Sequence, residues 1–222
     1  MSATDGWWVE ETDRLDCPNK SARTRKVEMV VIHTTVCPQT SQTNRERITR
    51  WITAKGNAST HMTILRDGTV LQGVPTTECA WHAGSSAWTT ASGRKITGSV
   101  NQYSIGIDID NIGRLTKRSD GLYDCYGKRW GGESICVGGV YVEPFTAAQI
   151  KSLIEILSYV VPAYGIDRYD VVGHADVSPG RKVDPDVGMP WALIHAMLDA
   201  GVDEDTTGGW YAIIDECAKL VH

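Results

Sequence analysis

The densest concentration of reactive side chains lies between Gly173 and Pro185. His174, Lys182 and the carboxylates Asp176 and Asp184 share that turn-rich stretch. It follows directly on the apolar run Tyr169 to Val172, and an upstream run, Val27 to Ile32, ends the same way, in His33. Two strands that each finish in a histidine can deliver both rings to one edge of a sheet. Asp184, on the loop beyond His174, can supply a third ligand. Asp176 is nearer in sequence, but His-x-Asp spacing crowds adjacent ligands, whereas the wider loop lets Asp184 swing in from another direction. Asp184 is therefore favoured, and Asp176 is expected to stabilise the loop as a hydrogen-bond acceptor. Two imidazoles and one carboxylate, with a position left for water, make a common protein site for hydrolytic zinc. Zn2+ is the cofactor this set implies.

Four further blocks accompany that segment: Val30-Val31-Ile32-His33-Thr34-Thr35, Ser59-Thr60-His61-Met62-Thr63-Ile64-Leu65-Arg66-Asp67-Gly68-Thr69-Val70, Ala80-Trp81-His82-Ala83-Gly84, and Ser104-Ile105-Gly106-Ile107-Asp108. In this order they resemble the zinc-dependent N-acetylmuramoyl-L-alanine amidases of the type 2 family, related to phage lysozyme-type amidases and peptidoglycan recognition proteins. The resemblance covers Val27 to Leu198. It implies hydrolysis of the amide between N-acetylmuramic acid and L-alanine, with His33, His174 and Asp184 at the metal-ligand positions. Lys182 matches the family's catalytic lysine, a fixed cation where negative charge develops. Asp108 stands where one branch of the family has a glutamate that handles the proton of the attacking water, and it is one methylene shorter. Another branch uses a tyrosine where this chain has Thr60, and Thr60 is expected to contact substrate together with Trp81 and His82. Trp81 and His82 fall in the block that lines the family's substrate groove, where an indole can cover a sugar or peptide face and an imidazole can donate a hydrogen bond. His61 is expected beneath the site as a structural group.

These residues need a framework, and the hydrophobic pattern supplies one. The run Lys26 to His33 is β-branched enough for a strand, and Ser104 to Ile109 alternates like an inner strand. Met62 to Leu65 and Thr69 to Val74 flank Asp67-Gly68, a hairpin signal. Thr43-Asn44-Arg45-Glu46 fits a capping box, with Ile48, Trp51 and Ile52 following at helical spacing up to Gly56. A second box, Thr146-Ala147-Ala148-Gln149, precedes Ile150, Leu153, Ile154, Leu157, Val160 and Val161 on one helical face. Pro190 suits the first turn of a third helix running to Leu198 and ended by Gly201. Strands interspersed with helices predict an α/β domain, with a mixed central sheet flanked by helices and the zinc site at one edge of the sheet. The expected organisation is an arm over 1–26 and the zinc amidase domain over 27–200. That domain carries a long irregular insertion at 111–143 beside the site. A linker and a short helix around Ile213, Ile214 and Leu220 occupy 201–222.

Composition narrows the function classes. A chain of 222 residues with a formal charge of −5 gives no reason to expect nucleic acid. No stretch approaches the ~18 apolar residues that span a bilayer, so no membrane insertion is expected. The N-terminus lacks the basic and apolar regions of a secretory signal, which predicts a cytoplasmic location as synthesised. Cys17, Cys37, Cys79, Cys125, Cys136 and Cys217 show no C-x-x-C pairing and read as free, mostly buried thiols. The expected partner is peptidoglycan or a muropeptide, met by a monomer. The leading expectation is a bacteriolytic endolysin that reaches the cell wall after release through a holin. The alternatives are a cytoplasmic amidase that recycles soluble muropeptides and a peptidoglycan-binding module without catalysis.

Overall fold

Every residue of two strands, Met29–Thr34 and Ser104–Ile109, is buried, as strands covered on both faces must be. They form the centre of this computed structural model, which describes residues 5–37, 44–201, 209 and 211–215. In chain order the elements are β1 (Lys20–Ala22), β2 (Met29–Thr34), α1 (Asn44–Thr53), β3 (Met62–Ile64), β4 (Val70–Gln72), β5 (Glu78–Ala80), β6 (Trp88–Thr89), β7 (Lys95–Ile96) and β8 (Ser104–Ile109). They continue with β9 (Arg114–Arg118), β10 (Gly121–Tyr123), β11 (Ile135–Val137), β12 (Val140–Val142), α2 (Ala147–Tyr164), β13 (Val171–Gly173), α3 (His174–Val177) and α4 (Trp191–Ala200). The central sheet has the order β13-β2-β8-β3-β4. Its pairs are parallel except for β3 with β4, so the sheet is mixed and the domain is α/β.

In-register neighbours on parallel strands share a face. One face carries Val30 beside Ile105, and Ile32 beside Ile107 and Met62. It packs against Leu153, Leu157, Ile194 and Met197 of α2 and α4. Full burial of one such side chain stabilises by about 1.5–3 kcal/mol. The opposite face carries Met29 beside Ser104, Val31 beside Gly106, and His33 beside Asp108 and Thr63. Its apolar members pack with Ala83, Ile96, Val100, Val172 and Val177, and its polar members gather where the strands end.

The second capping box forms as expected. Thr146 Oγ1 accepts from Gln149 N–H, the Gln149 side chain accepts from Thr146 N–H, and α2 ends at Gly165 with φ 62°. Asp67-Gly68 closes the β3–β4 hairpin with Gly68 at φ 88°. Pro190 precedes α4, and Gly201 caps it at φ 66°.

Several expectations need correction. Residues 111–143 are ordered as an antiparallel sheet, β10-β9-β12-β11. Gly138 and Gly139 link β11 to β12 with positive φ at both central residues, the geometry a two-residue hairpin turn favours. Over its described residues the N-terminal arm packs against the rest of the chain. Trp8 is 8% exposed, its indole donates to Thr76 Oγ1 at 3.1 Å, and β1 pairs with β5. Helix α1 buries Ile48 and Ile52 but leaves Trp51 40% exposed, and it stops short of Gly56. Thr43, the expected cap, lies outside the described residues, as do Leu220 and Cys217. Residues 211–215 are helical, with Ile214 in the core. The described cysteines are free; Cys17 and Cys79 are buried, whereas Cys125 and Cys136 are exposed. No described helix is long and apolar enough to cross a membrane.

The cap of α2 gives a direct test of this account. Thr146→Ala should lower unfolding free energy by about 1 kcal/mol, read as a reduced denaturant midpoint with an unchanged slope.

Candidate metal centre and active-site groove

β2 and β13 are adjacent and parallel, so their C-terminal ends open at the same edge of the sheet. His33 is the next-to-last residue of β2, and His174 is the first residue after β13. The loop that follows His174 is folded back by its own backbone. Asp176 Oδ2 accepts from Gly173 N–H at 2.8 Å, and Ala175 N–H donates to the Asp184 carbonyl at 2.9 Å. Lys182 N–H donates to the Ser178 carbonyl at 3.1 Å. Gly173 is needed where Pro185 crosses it, because a Cβ there would stand 2.7 Å from the proline Cδ. Asp176 thus stabilises the loop, and Asp184 is delivered to the histidines.

The resulting convergence is tight. His33 Nδ1 and His174 Nδ1 are 2.9 Å apart, and Asp184 Oδ2 lies 3.1 Å from His174 Nδ1 and 3.4 Å from His33 Nδ1. A tetrahedral zinc with bonds of ~2.0–2.2 Å holds its ligands roughly 3.3–3.5 Å apart, close to this triangle. His174 Nε2 lies 3.2 Å from the Ala83 carbonyl and 3.4 Å from Arg181 Nη2, and its Nδ1 faces His33 and Asp184. Burial, more than anything else, pushes His33 down to about 4, keeping the ring neutral. Burial works to raise Asp184, but the facing imidazoles of His174 and His33 outweigh it and hold the carboxyl below its ordinary range. Two imidazoles and one carboxylate converging in this way fit a divalent cation of the zinc type.

Asp108 sits beside His33 in the sheet register and is 8% exposed. Burial, and then the charge of Asp184, push its carboxyl up to about 7, while Lys182 pulls it down. Lys182 is exposed on the loop, near enough for its charge to act on both Asp108 and His33. Thr63 continues the same row, fully buried, and its hydroxyl has no hydrogen-bond partner among the described residues.

The groove residues divide. Trp81 is half-buried at the rim, its indole 3.3 Å from Ser21 Oγ. Thr60 is 2% exposed and donates its hydroxyl to the Gly106 carbonyl at 2.7 Å, so it presents nothing to a ligand. His82 has neither nitrogen available for substrate: Nδ1 lies 2.9 Å from His33 Nε2, and Nε2 lies 2.9 Å from Ser104 Oγ. Thr60 and His82 thus turn their polar atoms to protein partners, whereas Trp81 keeps part of its ring exposed. His61 is fully buried beneath the site, its Nδ1 accepting from Gly106 N–H at 2.9 Å. It remains outside the converging triad, as expected of a structural group.

Sequence reasoning missed Arg181 and Ser104. One Arg181 nitrogen donates to the Ala83 carbonyl at 2.6 Å, to the Ser85 carbonyl at 2.8 Å and to Ser178 Oγ at 2.7 Å, bracing the 83–85 loop against the Asp184 loop. No spacing rule marks such a residue. Ser104 did carry a signal, since it lies two residues before Gly106 and four before Asp108 on the face that ends in the site.

The family model described as N-acetylmuramoyl-L-alanine amidase matches residues 23–187. The 1,6-anhydro-N-acetylmuramyl-L-alanine amidase AmpD of Enterobacter cloacae is 30% identical over 144 residues, 65% of this chain and 59% of that protein. The N-acetylmuramoyl-L-alanine amidase AmiD of Escherichia coli K12 is 36% identical over 122 residues, 55% of this chain and 35% of that protein. Each alignment therefore spans less than two thirds of the relative. A crystal structure of a selenomethionine AmpD derivative superposes with a TM-score of 0.60 at 23% identity, covering 89% of this chain and 99% of that one, a likeness of fold. AmiD in complex with anhydro-N-acetylmuramic acid-L-Ala-D-gamma-Glu-L-Lys superposes with a TM-score of 0.57 at 27% identity, covering 80% and 60%. The converging nitrogens, the carboxylate and their loop all fall within the matched span, and this chain belongs to the type 2 N-acetylmuramoyl-L-alanine amidase family.

Proposed function

We propose that this chain hydrolyses the amide between the lactyl group of N-acetylmuramic acid and L-alanine, preferentially in soluble anhydro-muropeptides. The observation that carries the proposal is the convergence of His33, His174 and Asp184, with Asp108 beside them in the sheet. These three residues would hold zinc, which lowers the pKa of a bound water towards ~7 and polarises a carbonyl. Asp108, poised near neutrality, accepts the proton of the attacking water as the new C–O bond forms. It returns that proton to the alanine nitrogen as the C–N bond breaks. Lys182 faces the negative charge that develops on the carbonyl oxygen. Trp81, at the rim, covers a sugar or peptide face.

The preference for anhydro-muropeptides rests on the relatives: AmpD is described as a 1,6-anhydro-N-acetylmuramyl-L-alanine amidase, and AmiD is seen with an anhydro-muramyl tripeptide. They favour the recycling reading over the endolysin reading, and a bacteriolytic or antimicrobial role gains no support from them. A non-catalytic binding module is disfavoured, because it needs no water-activating site, and the convergence of His33, His174 and Asp184 beside Asp108 supports one.

Three measurements test this. Purified protein should carry about one zinc per chain by elemental analysis, and His33→Ala or His174→Ala should remove both metal and activity; full activity in metal-free protein would sink the mechanism. Mass spectrometry after incubation with anhydro-muropeptides and, separately, with intact sacculi should show new L-alanine amino termini without new reducing sugar ends. The soluble substrate should be cleaved faster, and faster release from sacculi would restore the endolysin reading. Asp108→Asn should retain zinc and lose roughly 10²–10⁴-fold in turnover, with Asp108→Glu keeping more activity. Unchanged turnover in Asp108→Asn would move the proton-transfer role elsewhere.

A further inference from the structure

We propose that His82 and Ser104 form a hydrogen-bond relay that fixes the tautomer of His33, making them positioning residues for the metal centre; this rests on the metal-centre reading above. The direction of the relay follows from its outer end. Ser104 Oγ lies 2.8 Å from the Val100 carbonyl, which can only accept, so the hydroxyl proton points there. The hydroxyl oxygen is then left to accept from His82 Nε2, 2.9 Å away. A neutral imidazole with its proton on Nε2 offers Nδ1 as an acceptor. His33 Nε2 lies 2.9 Å from that atom and donates to it. His33 therefore carries its proton on Nε2 and turns a bare Nδ1 towards His174 Nδ1 and Asp184 Oδ2.

The inner end demands the same direction. A cation held by the triad needs a lone pair on His33 Nδ1, and the reverse relay would put an N–H there. His174 has a shorter route to the same state: its Nε2 faces the Ala83 carbonyl at 3.2 Å, while Arg181 Nη2, 3.4 Å away, is already donating to that carbonyl. The two ligands are thus oriented by different acceptors, one a fixed backbone group and the other a side-chain chain two residues deep.

The fold makes a seat for this relay. Ser104 and Gly106 lie on the site-facing side of β8, and a Cβ on Gly106 would stand 2.5 Å from His82 Cγ. The imidazole therefore lies across bare backbone, edge-to-face with His33 at an interplanar angle of 82°. Hydrogen bonds that orient a metal-ligating imidazole typically contribute 10–100-fold in metal affinity.

The test measures zinc affinity of the full chain by competition with a chromophoric chelator, alongside thermal unfolding of the metal-free protein. His82→Phe keeps a ring over Gly106 and removes the acceptor, and should bind zinc about 10–100-fold more weakly. His82→Asn returns an oxygen close to the Nδ1 position and should recover most of that loss. Ser104→Ala should weaken zinc in the same direction by a smaller factor. Two-bond ¹H–¹⁵N spectra of the zinc-loaded wild type should show His33 protonated on Nε2. Equal zinc affinity in wild type and His82→Phe, or His33 protonated on Nδ1, would overturn the relay. So would His82→Asn as weak as His82→Phe, because the lost acceptor would then not be the cause. Should His82→Phe fail to fold, Ser104→Ala and the spectra decide, and an unchanged Ser104→Ala counts against the relay. A wild type that takes up no zinc overturns the metal centre itself, and the relay with it.

Discussion

The parallel alignment that sets His33 beside Asp108 is the constraint on which the rest of the site depends. Because strand side chains alternate between faces, a slip of one residue between β2 and β8 would turn Asp108 into the helix-facing core and bring Ile107 or Ile109 beside His33. The register is held from the other side of the sheet. Val30, Ile32, Ile105, Ile107 and Met62 must meet α2 and α4, and they can do so only in this alignment. The chemistry of one face is positioned by the hydrophobic effect acting on the other.

A second set of interactions ties the added sheet to the end of the central one. Arg66 lies 2.8 Å from Asp110 and donates from Nε to Glu143 Oε1 at 3.0 Å, while Ile112 N–H donates to Glu143 Oε2 at 2.6 Å. Asp110 is fully buried and also accepts from Thr35 Oγ1 at 3.2 Å. Charges taken this far from water persist only when paired and hydrogen-bonded. Here the pairing joins the hairpin loop after β3, the end of β8 and the return from β12. The segment between β8 and α2 is therefore clamped at both its roots, next to the edge where His33 and His174 emerge.

Much of this was legible in the chain. β2 and β8 announce themselves by β-branched runs, α2 by its capping box and apolar stripe, and the triad by histidines at strand ends. What escaped shares a physical cause. β9 to β12 are short, half-exposed and mixed in charge, so they bury too little to leave a period in the sequence. Trp51 stands at helical spacing with Ile48 and Ile52 yet faces outward, because pattern reports a face and not what covers it. Thr60 and His82 come from two different blocks, and the hydrogen bonds that turn them inward come from Gly106 and Ser104, more than twenty residues further along the chain. Arg181 likewise acts through backbone carbonyls, which no side-chain pattern encodes.

The alternation along β2, β3 and β8 also bears on how such a domain can diverge. On β8 a residue bound by volume (Ile105, Ile107, Ile109) alternates with one bound by chemistry or close approach (Ser104, Gly106, Asp108), and β2 and β3 join that second row at His33 and Thr63. Helix-facing positions accept exchanges of similar apolar volume at a cost of under about 1.5 kcal/mol. Gly106 accepts no side chain at all without displacing His82. Neutral drift is therefore confined to every second residue, and a lineage could replace its helix packing wholesale while the intervening rows stood still. Those rows are short, so the invariant part of such a chain would be scattered single residues rather than a contiguous stretch.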